Sequence, residues 1–285
     1  MHSVDPLVSI APGAGNLPKL TLTAPDGARA EIYLYGAHVT SWVPAGGEER
    51  LFMSGVSAFA PGSPIRGGVP LVWPQFGMTG PLPLHGIVRL QSWELAAVDL
   101  KDGRATATLR LDDSEATRAL WGQAFRTELA VTAGGNELKI ELSATNTGAE
   151  PFTFTAALHT YLAVNDLAAT RVEGLAGLRY RDNAAGGVEV VDAAPRVVFG
   201  SEVNRLYPAA PAEVRLVDGD RTLTSRAVGF TDGVVWNPGP AKCATIPDLE
   251  PEDYRKFVCV ETATVVAPVA LAPGERWVGS QTLVG

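Results

Sequence analysis

His159 lies in a segment whose alternating side chains are typical of a β-strand with two distinct faces, PFTFTAALHTYLAV. One face is apolar, which predicts that it packs on the core: Phe152, Phe154, Ala156, Leu158 and Leu162. The other face carries His159 together with Thr153, Thr155, Ala157 and Tyr161. Because an imidazole can give or take a proton near neutral pH, His159 is a candidate acid or base. The alternative is a histidine satisfied by Tyr161 or by backbone groups, with no chemical role.

Glu261 ends the apolar run KFVCVE. A carboxylate that follows apolar strand residues is expected to be partly desolvated, which raises its pKa and makes it a stronger base. Glu261 and His159 would form a general acid/base pair if both project into one polar cleft. They are 102 positions apart, so the sequence alone cannot bring them together. Alternatively, Glu261 turns to water at a strand end or pairs with Arg255 or Lys256.

Two arginines lie in segments where a ligand could come close to the backbone. Arg66 precedes two glycines in SPIRGGVPLVWPQFG, and Arg89 follows His85 in PLPLHGIVRLQSWEL. Glycines permit an unusual turn or a close approach by a ligand, and guanidinium groups bind phosphate through paired hydrogen bonds. Arg66 and Arg89 are therefore candidate phosphate ligands, unless they are surface or salt-bridged arginines. From the pattern alone, His85 cannot be distinguished from a core histidine.

Composition and missing motifs exclude several function classes. The net charge of −8 argues against a surface for nucleic acid or anionic membranes. The chain lacks the His and Cys spacings of transition-metal sites, the Gly-x-Ser-x-Gly nucleophile motif and nucleotide-binding loops, so we expect no metal, cofactor or covalent nucleophile. Cys259 lies in an apolar run and is expected to be a reduced core thiol. Without a recognisable secretory signal or a membrane-spanning stretch, a cytoplasmic protein is the default expectation.

The elements that must position these groups are predicted to be strands. Alternation recurs in segments that include Leu20 and Leu22, residues 105–111 and residues 138–142, and Gly-rich turn signals separate them. One short helix is predicted in DSEATRALW, 113–121, capped by Asp113 or Ser114. The pattern favours an all-β fold, a large antiparallel sandwich with few short helices. We expect residues 1–16 to form a flexible tail and 17–285 to form one domain.

Eight stretches, in this order, resemble one known family, the aldose 1-epimerase-like hexose-6-phosphate mutarotases, also called glucose-6-phosphate 1-epimerases. They are YGAHVTSW (35–42), IRGGVPLVWPQFG (65–77), LHGIVR (84–89) followed by SWEL (92–95), LHTYLAV (158–164), GLAGLRYRDN (174–183), DGVVWNPG (232–239), FVCVET (257–262) and PGERWVGSQTL (273–283). Each motif is modest alone, but together they span roughly residues 30 to 283.

The resemblance implies a galactose-mutarotase-like β-sandwich and an isomerase that interconverts the α and β anomers of a hexose 6-phosphate. It assigns His159 as general acid and Glu261 as general base. It also assigns four substrate-binding residues: Arg66, His85, Arg89 and Asp182. Leu84 departs from the family, whose members often have a polar residue there, and this leaves the sugar preference open.

The expected ligand is therefore a small sugar phosphate, without nucleic acid, membrane or cofactor, and the chain is expected to be a monomer. Two alternatives remain at this point. A mutarotase for free aldoses would keep the acid/base pair but give the arginines structural roles. A non-catalytic sugar-binding protein would bind ligand without anomeric exchange.

Overall fold

The computed structural model describes residues 7–191 and 194–285, and its regular structure is mostly antiparallel strands. A four-stranded sheet is formed by β1 (Val8–Pro12), β2 (Pro18–Thr23), β3 (Arg29–Tyr33) and β4 (His38–Val43). Val8 is buried and pairs with Leu22, so part of the segment expected to be a tail is the edge strand of this sheet. Residues 1–6 of that segment lie outside the described residues.

Two larger sheets contain the other described strands. These are β5 (Leu71–Val72), β6 (Glu94–Lys101), β7 (Arg104–Asp112), β8 (Phe125–Gly134), β9 (Glu137–Asn146), β10 (Phe152–Leu158), β11 (Tyr161–Ala163), β12 (Thr170–Glu173), β13 (Arg179–Asp182), β14 (Val188–Val191), β15 (Arg196–Val198), β16 (Val203–Tyr207), β17 (Glu213–Asp218), β18 (Arg221–Val228), β19 (Asp232–Asn237), β20 (Phe257–Leu271) and β21 (Arg276–Val284). The eight-stranded sheet has the order β14-β13-β16-β19-β20-β10-β5, with β11 also paired to β20. The nine-stranded sheet has the order β15-β12-β17-β18-β21-β9-β8-β7-β6. The predicted antiparallel β-sandwich is confirmed.

The hydrophobic core follows from the alternation of side chains along these strands. The alternating segments found in the sequence form β2, β7 and β9, with residues such as Leu20, Leu109 and Ile140 fully buried. One continuous apolar cluster extends from Val8 to Leu283 and includes residues of all three sheets. Along β2 and β7, one face therefore packs on the core and the alternate residues are more exposed.

Short helices connect the strands. The α-helices are α1 (Glu115–Trp121) and α2 (Gly239–Cys243), and single 3-10 turns lie at Ala14–Asn16, Val88–Leu90 and Asp253–Arg255. Ser114 is the cap of α1, because its hydroxyl accepts from the backbone N–H of Thr117, whereas Asp113 pairs with Arg118. Within 7–191 and 194–285, no helix has the length and apolarity needed to span a bilayer.

Strand β20 organises the part of the sandwich that carries the candidate chemistry. It pairs with β19 on one side and with β10 and β11 on the other. Val258 and Val260 belong to the continuous apolar cluster, which is the main core of the protein. The alternate residues Cys259 and Glu261 therefore lie on the opposite face of the sheet. Because β10 ends at Leu158, His159 emerges between two partners of β20.

Candidate active site

His159 and Glu261 meet on the face of the eight-stranded sheet that points away from the main core. Nε2 of His159 lies 3.4 Å from Oε1 of Glu261. The Glu261 side chain is 1% exposed and that of His159 is 12% exposed, so the histidine is the member of the pair that solvent or a ligand can reach. Glu261 has no contact with Arg255 or Lys256, which pair with carboxylates of the preceding segment.

Burial shifts the pKa values of both members of this pair. Desolvation raises the pKa of Glu261 well above its ordinary value. The pKa of His159 is lowered well below its ordinary value by desolvation and, to a lesser degree, by His85, Arg66 and Arg89. Burial therefore favours the uncharged pair, a carboxylic acid beside a neutral imidazole, over the charged pair. That state contains as many protons as an imidazolium–carboxylate pair, and the two differ by one proton transfer.

Aromatic rings hold the imidazole of His159 in place. Tyr161 stacks on it with ring centroids 5.0 Å apart and an interplanar angle of 15°. Trp236 and His85 contact it edge to face, at 5.8 Å and 5.5 Å. With three rings around it, His159 has a fixed orientation toward Glu261.

His85 is brought to this cluster by a strained turn in the segment between β5 and β6. Its backbone φ is +64°, a left-handed conformation that non-glycine residues rarely adopt. The N–H of Gly77 donates to Nδ1 of His85 at 3.2 Å. Burial, Arg89 and Arg66 lower the pKa of His85 to about 3. The neutral ring therefore carries its proton on Nε2, where it can donate a hydrogen bond.

Arg66 lies beside the pair but already has two partners. Its Nη1 donates to the hydroxyl of Tyr161 at 2.9 Å, and Nη2 lies 3.1 Å from Oδ1 of Asp248. Burial alone would lower the pKa of Arg66, but Tyr161 and Asp248 together raise it above its ordinary value. Arg66 is therefore a fixed cation that also anchors the tyrosine stacked on His159.

Arg89 is the second cation near the site, and no carboxylate pairs with it among the described residues. Its Nη2 donates to the backbone carbonyl of Leu84 at 2.7 Å, while its buried Nε has no hydrogen-bond partner in the described part of the chain. Burial and the neighbouring charge of Arg66 lower the pKa of Arg89 to about 10. Because this contact is to the backbone, it does not depend on the side chain at position 84, and Leu84 itself is 47% exposed.

The structure does not bring Asp182 together with these residues. Asp182 ends β13, and its carboxylate accepts from the backbone N–H groups of Ala184 and Ala185. Arg181 is in register, through β16 and β19, with Glu261. Since successive residues point to opposite faces of a sheet, Asp182 lies on the face opposite to Glu261.

The two glycines after Arg66 form the unusual turn that the sequence offered as one interpretation. Gly67 has φ +103° and Gly68 has φ +60°. A Cβ atom on Gly68 would lie 2.1 Å from the carbonyl oxygen of Val39. The fully buried His38 forms a hydrogen bond to the carbonyl oxygen of Gly67 through Nε2 at 2.7 Å. This bond holds the turn in place.

Several contributors to the site were not assigned from the sequence. Tyr161 was recognised only as a neighbour of His159 on the same strand face, and Trp236 and His38 lay in matching motifs without a stated role. Asp248 is 182 positions from Arg66 and has no local signal that points to it. In the described ranges, no group of three or more His, Cys, Asp or Glu side chains could hold a metal ion.

The chain is similar to known proteins along nearly its whole length. A family model described as aldose 1-epimerase matches residues 18–283. A protein of Cenchrus ciliaris, provisionally named glucose-6-phosphate 1-epimerase, is 36% identical over 96% of this chain and 87% of its own. A protein of Salmonella typhimurium with the same provisional name is 37% identical, over 84% of this chain and 81% of its own.

Solved structures agree with this similarity. The crystal structure of a provisionally assigned mutarotase from Salmonella typhimurium has a TM-score of 0.91 to this chain at 33% identity, covering 100% of this chain and 95% of the other. The motifs that suggested the family from sequence all fall within the matched residues. The chain belongs to the aldose 1-epimerase family, and it is an epimerase of the isomerase class.

Proposed function

We propose that this enzyme interconverts the α and β anomers of a hexose 6-phosphate, with glucose 6-phosphate as the expected substrate. The observation that carries the proposal is the 3.4 Å approach of His159 to Glu261 in a buried site with Arg66 and Arg89 close by. An acid/base pair meets the chemical demand of mutarotation, and a nearby cation without a carboxylate partner among the described residues meets that of a phosphate. The provisional names of the relatives point to the same substrate.

The proposed reaction opens and closes the sugar ring by two proton transfers. The carboxylate of Glu261 removes the proton from the 1-hydroxyl, and the electron pair of that O–H bond forms the C1=O1 double bond. The C1–O5 bond breaks, and O5 takes a proton from the His159 imidazolium. After rotation about C1–C2, O5 attacks the opposite face of C1 and returns its proton to His159, while O1 regains one from Glu261. Each positioned transfer typically contributes about 10²–10⁴-fold.

The substrate's phosphate would also prepare the pair for this reaction. Without ligand, desolvation and the charges of Arg66 and Arg89 disfavour a proton on His159. A phosphate dianion beside these arginines offsets their charge, which favours the proton on His159 and the negative charge on Glu261. In this proposal, the proton crosses from Glu261 to His159 when the ester binds. A free hexose cannot provide this effect.

His85 and Arg89 would bind the substrate at positions remote from proton transfer. The Nε2–H of His85 can donate to a sugar oxygen, and the guanidinium of Arg89 can bind the phosphate. An anchored phosphate keeps the open-chain aldehyde in the site during rotation. Asp182, whose carboxylate is held in its own turn, would need to reach the sugar from another face, so its assignment remains a prediction.

A second candidate function, mutarotation of free aldoses, is favoured by one observation. Arg66 is already bonded to Asp248 and Tyr161, and Arg89 donates to the carbonyl of Leu84, as structural arginines would. Anomeric exchange measured by NMR on glucose 6-phosphate and on glucose separates the two functions. We expect a kcat/KM at least about tenfold higher for the ester, from its charge-assisted hydrogen bonds. Equal values for both sugars would refute phosphate recognition.

A further inference from the structure

Gln281 forms a buried polar contact between the two large sheets. It lies on β21, is fully buried, and is flanked on the same strand face by Gly279 and the core residue Leu283. A buried amide is unfavourable unless its donors and acceptor are bonded. Its partners therefore indicate why an amide is present at a position where an apolar side chain would pack.

The side chain of Gln281 makes three hydrogen bonds, two of them across the sandwich. Its Oε1 accepts from the hydroxyl of Thr160 at 2.5 Å. Its Nε2 donates to the carbonyl oxygen of Val260 at 3.0 Å and to the hydroxyl of Ser225 at 2.8 Å. The amide thus links the eight-stranded sheet, through Thr160 and Val260, to the nine-stranded sheet.

The two partners in the eight-stranded sheet are the chain neighbours of the acid/base pair. Thr160 directly follows His159, and Val260 directly precedes Glu261. The backbone N–H of Val260 also donates to the carbonyl of Thr160 at 3.1 Å. One side chain therefore fixes the distance between the backbone segments that carry both groups.

This support acts where the strand ladder is interrupted. β10 ends at Leu158 and β11 begins at Tyr161, so neither strand includes His159 and Thr160, and the bond from Val260 to Thr160 is the backbone contact that joins this segment to β20. The N–H of His159 bonds instead to the carbonyl of Pro70. A segment without continuous pairing needs other bonds to hold a side chain within a fraction of an ångström.

We propose that Gln281 is a positioning residue for His159 and Glu261, which it holds at the separation needed for coupled proton transfer. This inference rests on the proposed function. Gln281 touches neither reacting side chain and acts through Thr160 and Val260. Loss of its bonds should loosen the geometry of the pair while leaving the phosphate contacts in place, and small misplacements of reacting groups lower rates strongly.

A matched control is available in Asn146, another fully buried amide. Asn146 donates to the backbone carbonyls of Glu150 and Leu271. Leu271 is ten residues after Glu261 on β20. Replacement of either amide by an apolar side chain of similar size removes buried hydrogen bonds, so both variants should be less stable. Only the change at Gln281 should affect the proton-transfer step.

The test compares Gln281→Met, Asn146→Leu and the wild-type protein at a temperature where all three are folded. The readout is NMR exchange of glucose 6-phosphate anomers above the uncatalysed rate. We expect kcat to fall about 10- to 100-fold in Gln281→Met with KM within about twofold of wild type, and kcat to persist in Asn146→Leu. If the wild-type protein catalyses exchange and the two variants have equal kcat, the role of Gln281 is overturned and the proposed function stands. Wild-type protein without exchange overturns the proposed function and this assignment with it.

Thr160→Val gives a second, milder measurement. It removes only the hydroxyl that bonds to Gln281, and it decides the question if Gln281→Met does not fold. We expect a several-fold lower kcat with unchanged KM, and no further loss when Thr160→Val is added to Gln281→Met, because both remove the same contact. A wild-type kcat in folded Thr160→Val overturns the assignment.

Discussion

The imidazole of His159 and the carboxyl of Glu261 are 3.4 Å apart, although 102 positions separate them in the chain. The two groups are close because β20 pairs with both β10 and β11. This pairing places the end of β10 beside the face of β20 that carries Cys259 and Glu261. The same sheet buries the pair, and this burial raises the pKa of Glu261 and lowers the pKa of His159.

Glu261→Gln should abolish most catalysis and leave binding largely unchanged. The amide preserves the volume of a buried side chain but cannot carry the transferred proton, so kcat for anomer exchange should fall about 10²–10⁴-fold with little change in KM. NMR exchange spectroscopy on glucose 6-phosphate measures both. Glu252→Gln, which alters an exposed carboxyl paired with Arg255, is the control and should retain the wild-type rate. Wild-type turnover in Glu261→Gln would refute the role of Glu261 as base.

Arg89→Met should lower the preference for the phosphorylated sugar. The substitution keeps the apolar stem and removes the cation that lacks a carboxylate partner in the described part of the chain. Loss of a charge-assisted contact of about 1.5–3 kcal/mol corresponds to a decrease of about 10- to 150-fold in kcat/KM for glucose 6-phosphate. The value for glucose should not change. Arg126→Met, at an exposed arginine of β8, serves as control, and equal losses for both sugars would assign Arg89 a structural role.

The fold and the site differ in how far local sequence determines them. Alternation along residues 105–111 and 138–142 predicts half-buried strands because each side chain has only two faces to choose from. The same rule correctly placed His159 on the face opposite to Phe154 and Leu158. Pairing of sheet faces, in contrast, depends on register between distant strands. This is why Asp182, which matches a family motif, lies on the face opposite to Glu261.

Partners of charged groups could not be predicted for the same reason. Local spacing made Arg255 and Lys256 plausible partners of Glu261, but the 3-10 turn Asp253–Arg255 directs them to Glu252 and Asp253. Asp248 pairs with Arg66 although 182 positions separate the two residues in the chain. The family resemblance identifies candidate residues, whereas the hydrogen bonds that orient them depend on contacts between distant segments of the chain.

Acid should destabilise the protein in part through His38. Its folded-state pKa of about 4 is below its ordinary value because burial disfavours the charged form. A group with a depressed folded pKa contributes stability that is present above its unfolded pKa and lost as the pH falls, here below about 6.5. From about pH 7.5 to 5, the free energy of unfolding should decrease by about 2 kcal/mol on this account. His85 and His159, whose pKa values are also lowered, likewise reduce the stability as the pH falls. Glu261, whose pKa is raised, increases the stability as the pH falls.

His38→Gln isolates this contribution. The glutamine amide can still donate to the carbonyl of Gly67 but does not titrate, so the variant should lose less stability than wild type between the same two pH values. Urea unfolding at each pH measures the difference, and the other groups cancel in the comparison. Identical pH dependence in both proteins would mean that His38 is charged in the folded state.

Gly68→Ala should destabilise the turn that presents Arg66. The new Cβ would lie 2.1 Å from the carbonyl oxygen of Val39, in a backbone with φ +60°. Gly135 has the same φ, but a Cβ atom added there would have no neighbour within 4 Å, so Gly135→Ala carries the backbone strain without the clash. Thermal or urea unfolding should show a loss of about 1 kcal/mol for Gly135→Ala and at least about 2 kcal/mol more for Gly68→Ala. Equal losses of unfolding free energy in the two variants would mean that the backbone at Val39 shifts to accommodate the new Cβ atom.

The turn that holds His85 in a left-handed conformation has a wider consequence. His85, the carbonyl of Leu84 and Arg89 belong to one continuous connection between β5 and β6, whereas His159 and Glu261 belong to the sheet itself. On the proposed function, the sugar contact of His85 and the phosphate contact of Arg89 are encoded in a stretch of the gene separate from those that encode His159 and Glu261. On that proposal, changes in this connection would alter which sugar is accepted and leave His159 and Glu261 unchanged, so a lineage with this scaffold could diversify its substrates without rebuilding its catalyst.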